Sequence, residues 1–496
     1  MNNEKYLVNF LKNCKIEPNN INSFNKYLKK NSKNINKKEF LIEFAKRLRG
    51  LGYQKEAHLL YLDIIFNKKM FRPDFYSSFL LNILMHPNIK DRSKTFYDFA
   101  KIYQKKCKAT IFERFTYYIF TKFKKNKKYH NKKKINVAFT CHFFGVDTSK
   151  KLFNPILKYF NKDKFNIFIY SDNFDNRDED DIKKNAFSYV NTSNLNNIFF
   201  TKLLINDDID ILIENNGHLS INRYSAIDLN HNLISMAFFN TPHTTGLRNM
   251  DYIIASKYMS LNKVKSFFTE NIIYLDDTIH AVEYLGEMPI VKDSPIINNN
   301  FITFGSFGSL GKISKELIST YCKILQRIPT SRLILKYPDN YDEMIDAKQI
   351  WLNHFLNNKI DLKRVDIIGA LGDDYKFYDL YNSVDIVLDS FPYNAGTTTI
   401  DSLYMGTPVI SKQGDDYDSQ HSLSTLGAID CKELLAKSTE EYINIAVNLA
   451  NNKDKIIYYN KVLRKKLIDS SQCNMSLYAK NIEKILEEVF SKNNRK

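Results

Sequence analysis

Between residues 134 and 412 the chain keeps switching between short apolar runs and helix-like stretches, and few folds accommodate that rhythm. "KINVAFT" (134–140), "NIFIYSD" (166–172), "IDILIEN" (209–215), "NLISMAFFN" (232–240) and "MDYIIAS" (250–256) have the length and residue types of buried strands. The stretches "FNPILKYFNKDKF" and "NNIFFTKLLINDD" between them carry helical spacing. A second series follows: "FITFGSF" (301–307), a helix over 314–327, "SRLILKYP" (331–338), "RVDIIGA" (364–370), "VDIVLD" (384–389) and "TPVISK" (407–412), with a closing helix over 475–491. Strands that alternate with helices form parallel sheets covered on both faces. The reading is an α/β protein with two doubly wound, Rossmann-like lobes, over 135–295 and 296–496. Ligands of such sheets sit beyond the carboxyl ends of the strands.

Residues 1–120 read as an all-α domain, because apolar residues recur there at helical spacing. Within it, 38–73 has the shape of one tetratricopeptide (TPR) repeat. Phe44, Ala45, Leu48, Gly52, Ala57 and Tyr61 fall at its small and large positions. Ile64 stands where a small residue is usual, and Pro73 comes a few residues late. An ordinary helical pair accounts for the same residues. Either way, one pair cannot bury both its faces and has to pack on other helices, the next domain or a partner.

The net charge of +17 raises the question of nucleic acid. The lysine excess is spread along the chain among asparagines and forms no stripe, so no nucleic-acid partner is expected. The densest block, "TKFKKNKKYHNKKK" (121–134), has no regular helical face and reads as a solvated linker. Its alternative is a basic patch facing an acidic partner or a membrane surface. Six scattered cysteines with no CxxC pair point to a reducing, cytoplasmic setting. The first residues lack the apolar core of a secretory signal, and no stretch approaches the ~20 apolar residues that span a bilayer.

Two loops carry chemistry. In "LDSFPYNAGTTTID" (388–401) a strand gives way to a helix through a turn and three threonines. A helix start offers unpaired N–H groups and a positive dipole end, which suit a phosphate. Gly396 allows close approach, Thr397 and Thr398 add hydroxyls, and Asp401 suits a sugar hydroxyl such as a ribose. The same residues also make an ordinary capped helix. The loop "GSFGSLGKIS" (305–314) is glycine-rich but matches neither the P-loop nor the dinucleotide pattern. Lys312 in it can meet phosphate oxygens as a point charge, or stand as an exposed lysine. The acidic triplets Asp178–Glu179–Asp180 and Asp208–Ile209–Asp210 read as structural, as do the lone histidines His58, His86, His130, His280 and His354.

"NNFITFGSFGSLGKISKELISTYCKILQRIPTSRLILK" (299–336) and "LYNSVDIVLDSFPYNAGTTTIDSLYMGTPVI" (380–410) resemble the nucleotide-sugar lobe of the O-GlcNAc transferase and SPINDLY family, glycosyltransferase family 41. "IDILIENNGH" (209–218), "NTPHTTGLRNMDYIIAS" (240–256) and "SSFLLNILMHPNIKDRSKTFYDFAKIY" (77–103) resemble segments of the same family, so the likeness covers roughly 77–490. The resemblance implies a GT-B fold, with an N-terminal TPR-like domain, and an inverting, metal-independent transferase without a cofactor. Its donor would be a nucleotide sugar and its acceptor a protein hydroxyl. By matching position, Lys312 would neutralise the diphosphate, Thr397 and Thr398 would hold the phosphates, and Asp401 the ribose. His218 and the loop His243, Thr244, Thr245 and Gly246 would line the sugar and acceptor side.

The chain also departs from the family. Phe377 stands where a histidine usually lies beside the nucleobase, and Ser309 replaces a glutamine. Asp147 stands for the first-lobe histidine, and Gly396 for the histidine of the HTT motif. A ring at 377 can still stack on a base. The acceptor proton has four candidate takers: Asp147, His218, water and the donor phosphate. GlcNAc from UDP-GlcNAc is the expected sugar. UDP-glucose, GDP-fucose, asparagine, glycan or lipid acceptors, and a non-catalytic binding module remain the alternatives. The sequence leaves the oligomeric state open.

Overall fold

The computed structural model describes residues 7, 10, 11, 13, 14, 37–67, 72–121, 133–142, 144–174, 176–219, 222–230, 233–284, 286–336, 345–369, 371 and 373–493. Most of the basic block (122–132) and His130 lie outside them. The chain forms two compact units. One comprises Met1–Lys90, Met288–Gly414 and Lys432–Arg464; the other Asp91–Glu287, Asp415–Cys431 and Lys465–Lys496.

The second of these is built on seven strands: β1 (Ile135–Cys141), β2 (Phe165–Ser171), β3 (Ser188–Asn191), β4 (Ile211–Glu214), β5 (Ile234–Ala237), β6 (Tyr252–Ser256) and β7 (Asn271–Leu275). Their order is β3-β2-β1-β4-β5-β6-β7, and every pairing is parallel. The other unit carries β8 (Thr303–Ser306), β9 (Arg332–Lys336), β10 (Val365–Ile368), β11 (Ile386–Leu388), β12 (Val409–Lys412) and β13 (Leu435–Ala436). These are ordered β10-β9-β8-β11-β12-β13 and are again all parallel.

Both orders reverse direction once. The chain runs outward from β1 through β2 to β3, then returns to place β4 on the other side of β1. In the six-strand unit it runs from β8 to β10 and returns to place β11 beside β8. At such a switch point the flanking loops part, and the crevice left at the carboxyl ends is where doubly wound sheets hold ligands. The two crevices are therefore fixed by topology: between β1 and β4, and between β8 and β11.

The central strands form where apolar runs were expected, since helices cover both faces. The strands without a sequence expectation, β3, β7 and β13, are all at sheet edges. β3 has no buried residue and β7 one, and β13 is two residues long, so none presents a long apolar run. The N-terminal helices divide between the units. Lys37–Gly50, Gln54–Leu62 and Pro73–Met85 belong with the six-strand sheet, and Arg92–Lys106 and Ile111–Thr121 with the seven-strand sheet. Among the described residues no helix is long and apolar enough to cross a membrane.

Candidate active site

In the six-strand unit, the loop after β8 ends in a tight turn, Leu310–Lys312, closed by the Lys312 N–H on the Ser309 carbonyl at 3.0 Å. The half-buried Lys312 side chain crosses to the loop after β11. Its Nζ donates to the Asn394 carbonyl at 2.7 Å and lies 3.9 Å from the centre of the Tyr393 ring. The cation is thus held in place between the two loops of the switch point. Ser309 is exposed.

The second loop braces itself. The buried Asp389 carboxylate accepts from the Ser390 N–H (2.7 Å), the Ala395 N–H (2.9 Å) and the Ser411 hydroxyl (2.6 Å). Asn394 donates to the carbonyls of Ser390 (3.1 Å) and Lys412 (3.0 Å). The helix Thr397–Tyr404 starts immediately beyond. Its N-cap is Gly396, and no side chain caps it. The ordinary capped helix therefore lacks its capping side chain, and the first N–H groups are left for an anion. Thr397 and Thr398 are half-buried at that end, while Thr399 turns inward. Asp401 lies one turn in, 2% exposed.

Phe377 is half-buried on the helix Asp374–Asp379, with the Lys336 ammonium 4.6 Å from its ring centre and Tyr381 at 5.6 Å. It is neither a core residue nor a fully exposed one. The helical pair 37–62 supports the Lys312 loop from behind. Gln54 Nε2 donates to the carbonyls of Gly311 and Ile313, both at 3.2 Å. Gly52 has φ +85, and a Cβ there would lie 3.1 Å from the Ile313 carbonyl. The face that one helical pair cannot bury alone is covered by this loop.

The crevice of the seven-strand unit is polar in a different way. Thr140 and Cys141 end β1 and His142 follows it; Asn215, Asn216 and His218 follow β4. The Asn216 side-chain oxygen accepts from the His142 N–H at 2.7 Å, which ties the two loops together. The buried Thr140 hydroxyl, both polar atoms of the Asn215 side chain, Asn216 Nδ2 and His218 Nδ1 have no hydrogen-bond partner within the protein. Buried polar atoms are nearly always paired, so a cluster of unpaired ones marks a place for water or a ligand. Below them the Glu214 carboxylate accepts from the N–H groups of Asn216 (3.2 Å) and Gly217 (2.9 Å). Burial pushes its pKa up to about 8.

His218 donates from Nε2 to the Thr245 carbonyl at 2.9 Å, which leaves the lone pair on Nδ1. Phe96, Tyr103 and Tyr224 enclose the ring edge-on, and burial pulls its pKa down to about 4. The loop 243–246 is packed against its own unit. Thr244 and Thr245 bond the buried Glu270 carboxylate, and a Cβ on Gly246 (φ +74) would meet Ala100 at 2.6 Å. His243 is 1% exposed and stacked 4.7 Å from Phe268. Its Nδ1 accepts from the Thr244 N–H at 2.8 Å, so the ring proton is on Nε2 and points to the Ser93 hydroxyl at 2.7 Å, which in turn donates to Asp416. A nucleophilic serine needs the reverse polarity, with the imidazole accepting from the hydroxyl. This Ser93–His243–Asp416 set, anchored by Arg92 on Asp416 at 2.6 Å and on Asp418 at 3.1 Å, is a structural clamp. The backbone of Asp147 opens the short helix Asp147–Leu152; its side chain lies outside the described residues. Both acidic triplets serve the fold: Glu179 accepts from Ser171 and Tyr189, and Asp210 from the Asn136 N–H.

Asp389, Tyr393, Asn394 and Gln54, which shape the six-strand crevice, were not among the residues that the sequence singled out. Only Asp389, at a strand's carboxyl end, carried a readable signal.

Comparison with known proteins agrees with this layout. The sequence matches the pattern of Glycosyl transferase family 41 over residues 98–299 and 291–482. It is 27% identical over 333 residues to a probable UDP-N-acetylglucosamine–peptide N-acetylglucosaminyltransferase SPINDLY of Petunia hybrida, covering 66% of this chain and 35% of that protein. The SPINDLY protein of Arabidopsis thaliana is 29% identical over 286 residues, 58% of this chain and 31% of that one. The chain thus spans about a third of the length of the curated relatives it matches. An O-GlcNAc transferase of Thermobaculum terrenum, solved as a lysine-to-methionine mutant, superposes with a TM-score of 0.83 over 92% of this chain and 85% of its own, at 17% identity. That likeness gives the fold, an α/β arrangement of the GT-B kind. With the family pattern covering well over half of its length, the chain belongs to glycosyl transferase family 41.

Proposed function

We propose that the protein is an inverting, metal-independent glycosyltransferase that moves GlcNAc from UDP-GlcNAc onto side-chain hydroxyls of proteins. The observation that carries this is the six-strand switch point. There Lys312 is held between two braced loops beside the uncapped start of the helix Thr397–Tyr404. As the bond from the anomeric carbon to the β-phosphate breaks, negative charge grows on the phosphate. A fixed ammonium and a helix end stabilise that charge without having to reorganise. Thr397 and Thr398 add donors to the phosphates, Asp401 takes the ribose, and Phe377 lies along the base.

The acceptor side falls to the seven-strand unit, where Thr140, Asn215, Asn216 and His218 Nδ1 offer unpaired hydrogen-bonding atoms to hydroxyl groups. The loop 243–246 contributes through the Thr245 carbonyl, which fixes the tautomer of His218. The test is transfer of tritiated sugar from UDP-GlcNAc, UDP-glucose and GDP-fucose to lysate proteins, with mass spectrometry of the products. Labelled serine or threonine from UDP-GlcNAc alone supports the reading. Transfer from another donor, to asparagine, or to no protein overturns it.

A further inference from the structure

The helix Ile111–Thr121, which belongs to the seven-strand unit, is turned opposite to an ordinary surface helix. Its sequence is IFERFTYYIFT. At about 100° per residue, Ile111, Phe112, Phe115 and Ile119 fall on one stripe about 100° wide. A stripe of that kind faces the core in a surface helix. Here the four side chains are 89%, 72%, 60% and 47% exposed.

Polar contacts hold the helix in this orientation. The Thr110 N–H donates to the Glu113 carboxylate at 2.7 Å and the Glu113 N–H to the Thr110 hydroxyl at 3.2 Å, a capping box that fixes the first turn. On the side away from the stripe, Arg114 pairs with the buried Asp228, and the Tyr117 hydroxyl donates to the Asn230 side chain at 3.2 Å. Just upstream, the Ala109 N–H donates to the same Asp228 carboxylate at 3.2 Å, and the Ser225 hydroxyl to the Cys107 carbonyl at 2.5 Å. Turning the apolar stripe inward would break the Arg114 and Tyr117 bonds.

An exposed apolar stripe marks contact with a protein or a membrane, and charge decides between them. Lys105, Lys106 and Lys108 stand directly before the helix and are all exposed. Glu113 is the only acid between residues 105 and 121. A second copy of the chain would bring the same positive charge to the contact. An anionic lipid surface neutralises it: the apolar side chains enter the boundary between headgroups and acyl chains, and the lysines meet the headgroups. We infer that the helix Ile111–Thr121 docks the seven-strand unit on an anionic membrane surface. With 11 residues it is too short to cross a bilayer, so it lies in the plane of the interface.

The test is co-sedimentation of the full chain with vesicles of phosphatidylcholine alone, and of phosphatidylcholine and phosphatidylglycerol in equal parts. The wild type should bind the mixed vesicles, bind the plain ones about tenfold or more weakly, and come off as salt rises. The double variant Phe112→Ser, Phe115→Ser should bind the mixed vesicles about tenfold or more weakly than wild type. The triple variant Lys105→Gln, Lys106→Gln, Lys108→Gln should also lose about tenfold or more. All five side chains are exposed, so both variants should keep the wild-type melting temperature. Should the serine variant unfold, the glutamine variant carries the test. Failure of the wild type to bind the mixed vesicles, or full binding by either folded variant, overturns the inference. So does a wild-type dimer, read by light scattering, that the serine variant dissociates, because the stripe would then belong to a second copy. Vesicle binding is read without a nucleotide sugar, so its outcome is separate from that of the transfer assay.

Discussion

The two switch points share a topology and differ in how their polar groups are arranged. Around β8 and β11, Lys312, Asp389 and Asn394 are all engaged within the two loops, and of the buried polar atoms in these three side chains Asn394 Oδ1 alone lacks a partner. Around β1 and β4, the Thr140 hydroxyl, both polar atoms of the Asn215 side chain, Asn216 Nδ2 and His218 Nδ1 stay open. The difference is what the two halves of the proposed glycosyl transfer would ask for. A diphosphate leaving group needs charge fixed before the reaction, because reorganising it costs rate. A hydroxylated acceptor needs hydrogen-bonding capacity that the protein has not already used.

The contrast breaks most directly at Lys312. Lys312→Ala should cut turnover by about a hundredfold or more, or ~3 kcal/mol of transition-state stabilisation, with the melting temperature nearly unchanged. Normal turnover in this variant would remove the lysine from the mechanism. Asp389→Ala leaves the Ser390 and Ala395 N–H groups and the Ser411 hydroxyl without their acceptor. Each stranded buried donor costs ~1–3 kcal/mol, so UDP affinity should drop more than tenfold and the melting temperature should fall. A variant that binds UDP normally would show that the brace does not shape the site.

Phe377→Ala should weaken UDP binding by about tenfold, within the ~1–3 kcal/mol of a base–aromatic stack. A smaller loss should appear in turnover at saturating donor. Phe377→His should keep much of the binding. A fall in melting temperature with UDP binding intact would instead make Phe377 a packing residue. Gln54→Ala removes the two bonds to the Lys312 loop and should lower turnover only severalfold, read from steady-state kinetics. No change would mean that the helical pair does not position the lysine.

The smallest effect concerns Glu214, under the open crevice. Folded, its carboxyl stays protonated up to about pH 8, against 4.5 for the ordinary group. The unfolded chain therefore releases this proton earlier, and the group lowers stability as pH rises from about 4.5 to about 8. Glu214→Gln removes that dependence. Relative to wild type, its melting temperature should improve by a few degrees between pH 5 and pH 8. A difference that does not change with pH would show that the carboxyl titrates normally.

The sheets were legible because their central strands are buried on both faces and spell continuous apolar runs. The edge strands β3, β7 and β13 were not: β3 and β7 are mostly not buried, and β13 is only two residues long. Lys312 and Thr397 could be found because they sit in a glycine-rich turn and at a helix start, where local sequence and chemistry coincide. Tyr393 and Asn394 act through contacts inside a folded loop, which spacing does not encode. Gln54 reaches a carbonyl 257 residues away. His142 is a single histidine after a strand, and only the return of the chain to β4 sets Asn216 beside it. The clamp built from Ser93, His243 and Asp416 shows the opposite hazard. Its residue types suggest a nucleophilic serine, and the hydrogen-bond direction rules that out.

The central claim is that the β8–β11 switch point holds a nucleoside diphosphate through Lys312 and the start of the helix Thr397–Tyr404. Calorimetric titration of UDP into the wild-type protein and Lys312→Ala, both in excess EDTA, tests it most directly. The wild type should bind UDP without a divalent cation, and the variant should bind at least about tenfold more weakly, ~1.4 kcal/mol. Binding that requires added magnesium or manganese, or equal affinity in the two proteins, would contradict it.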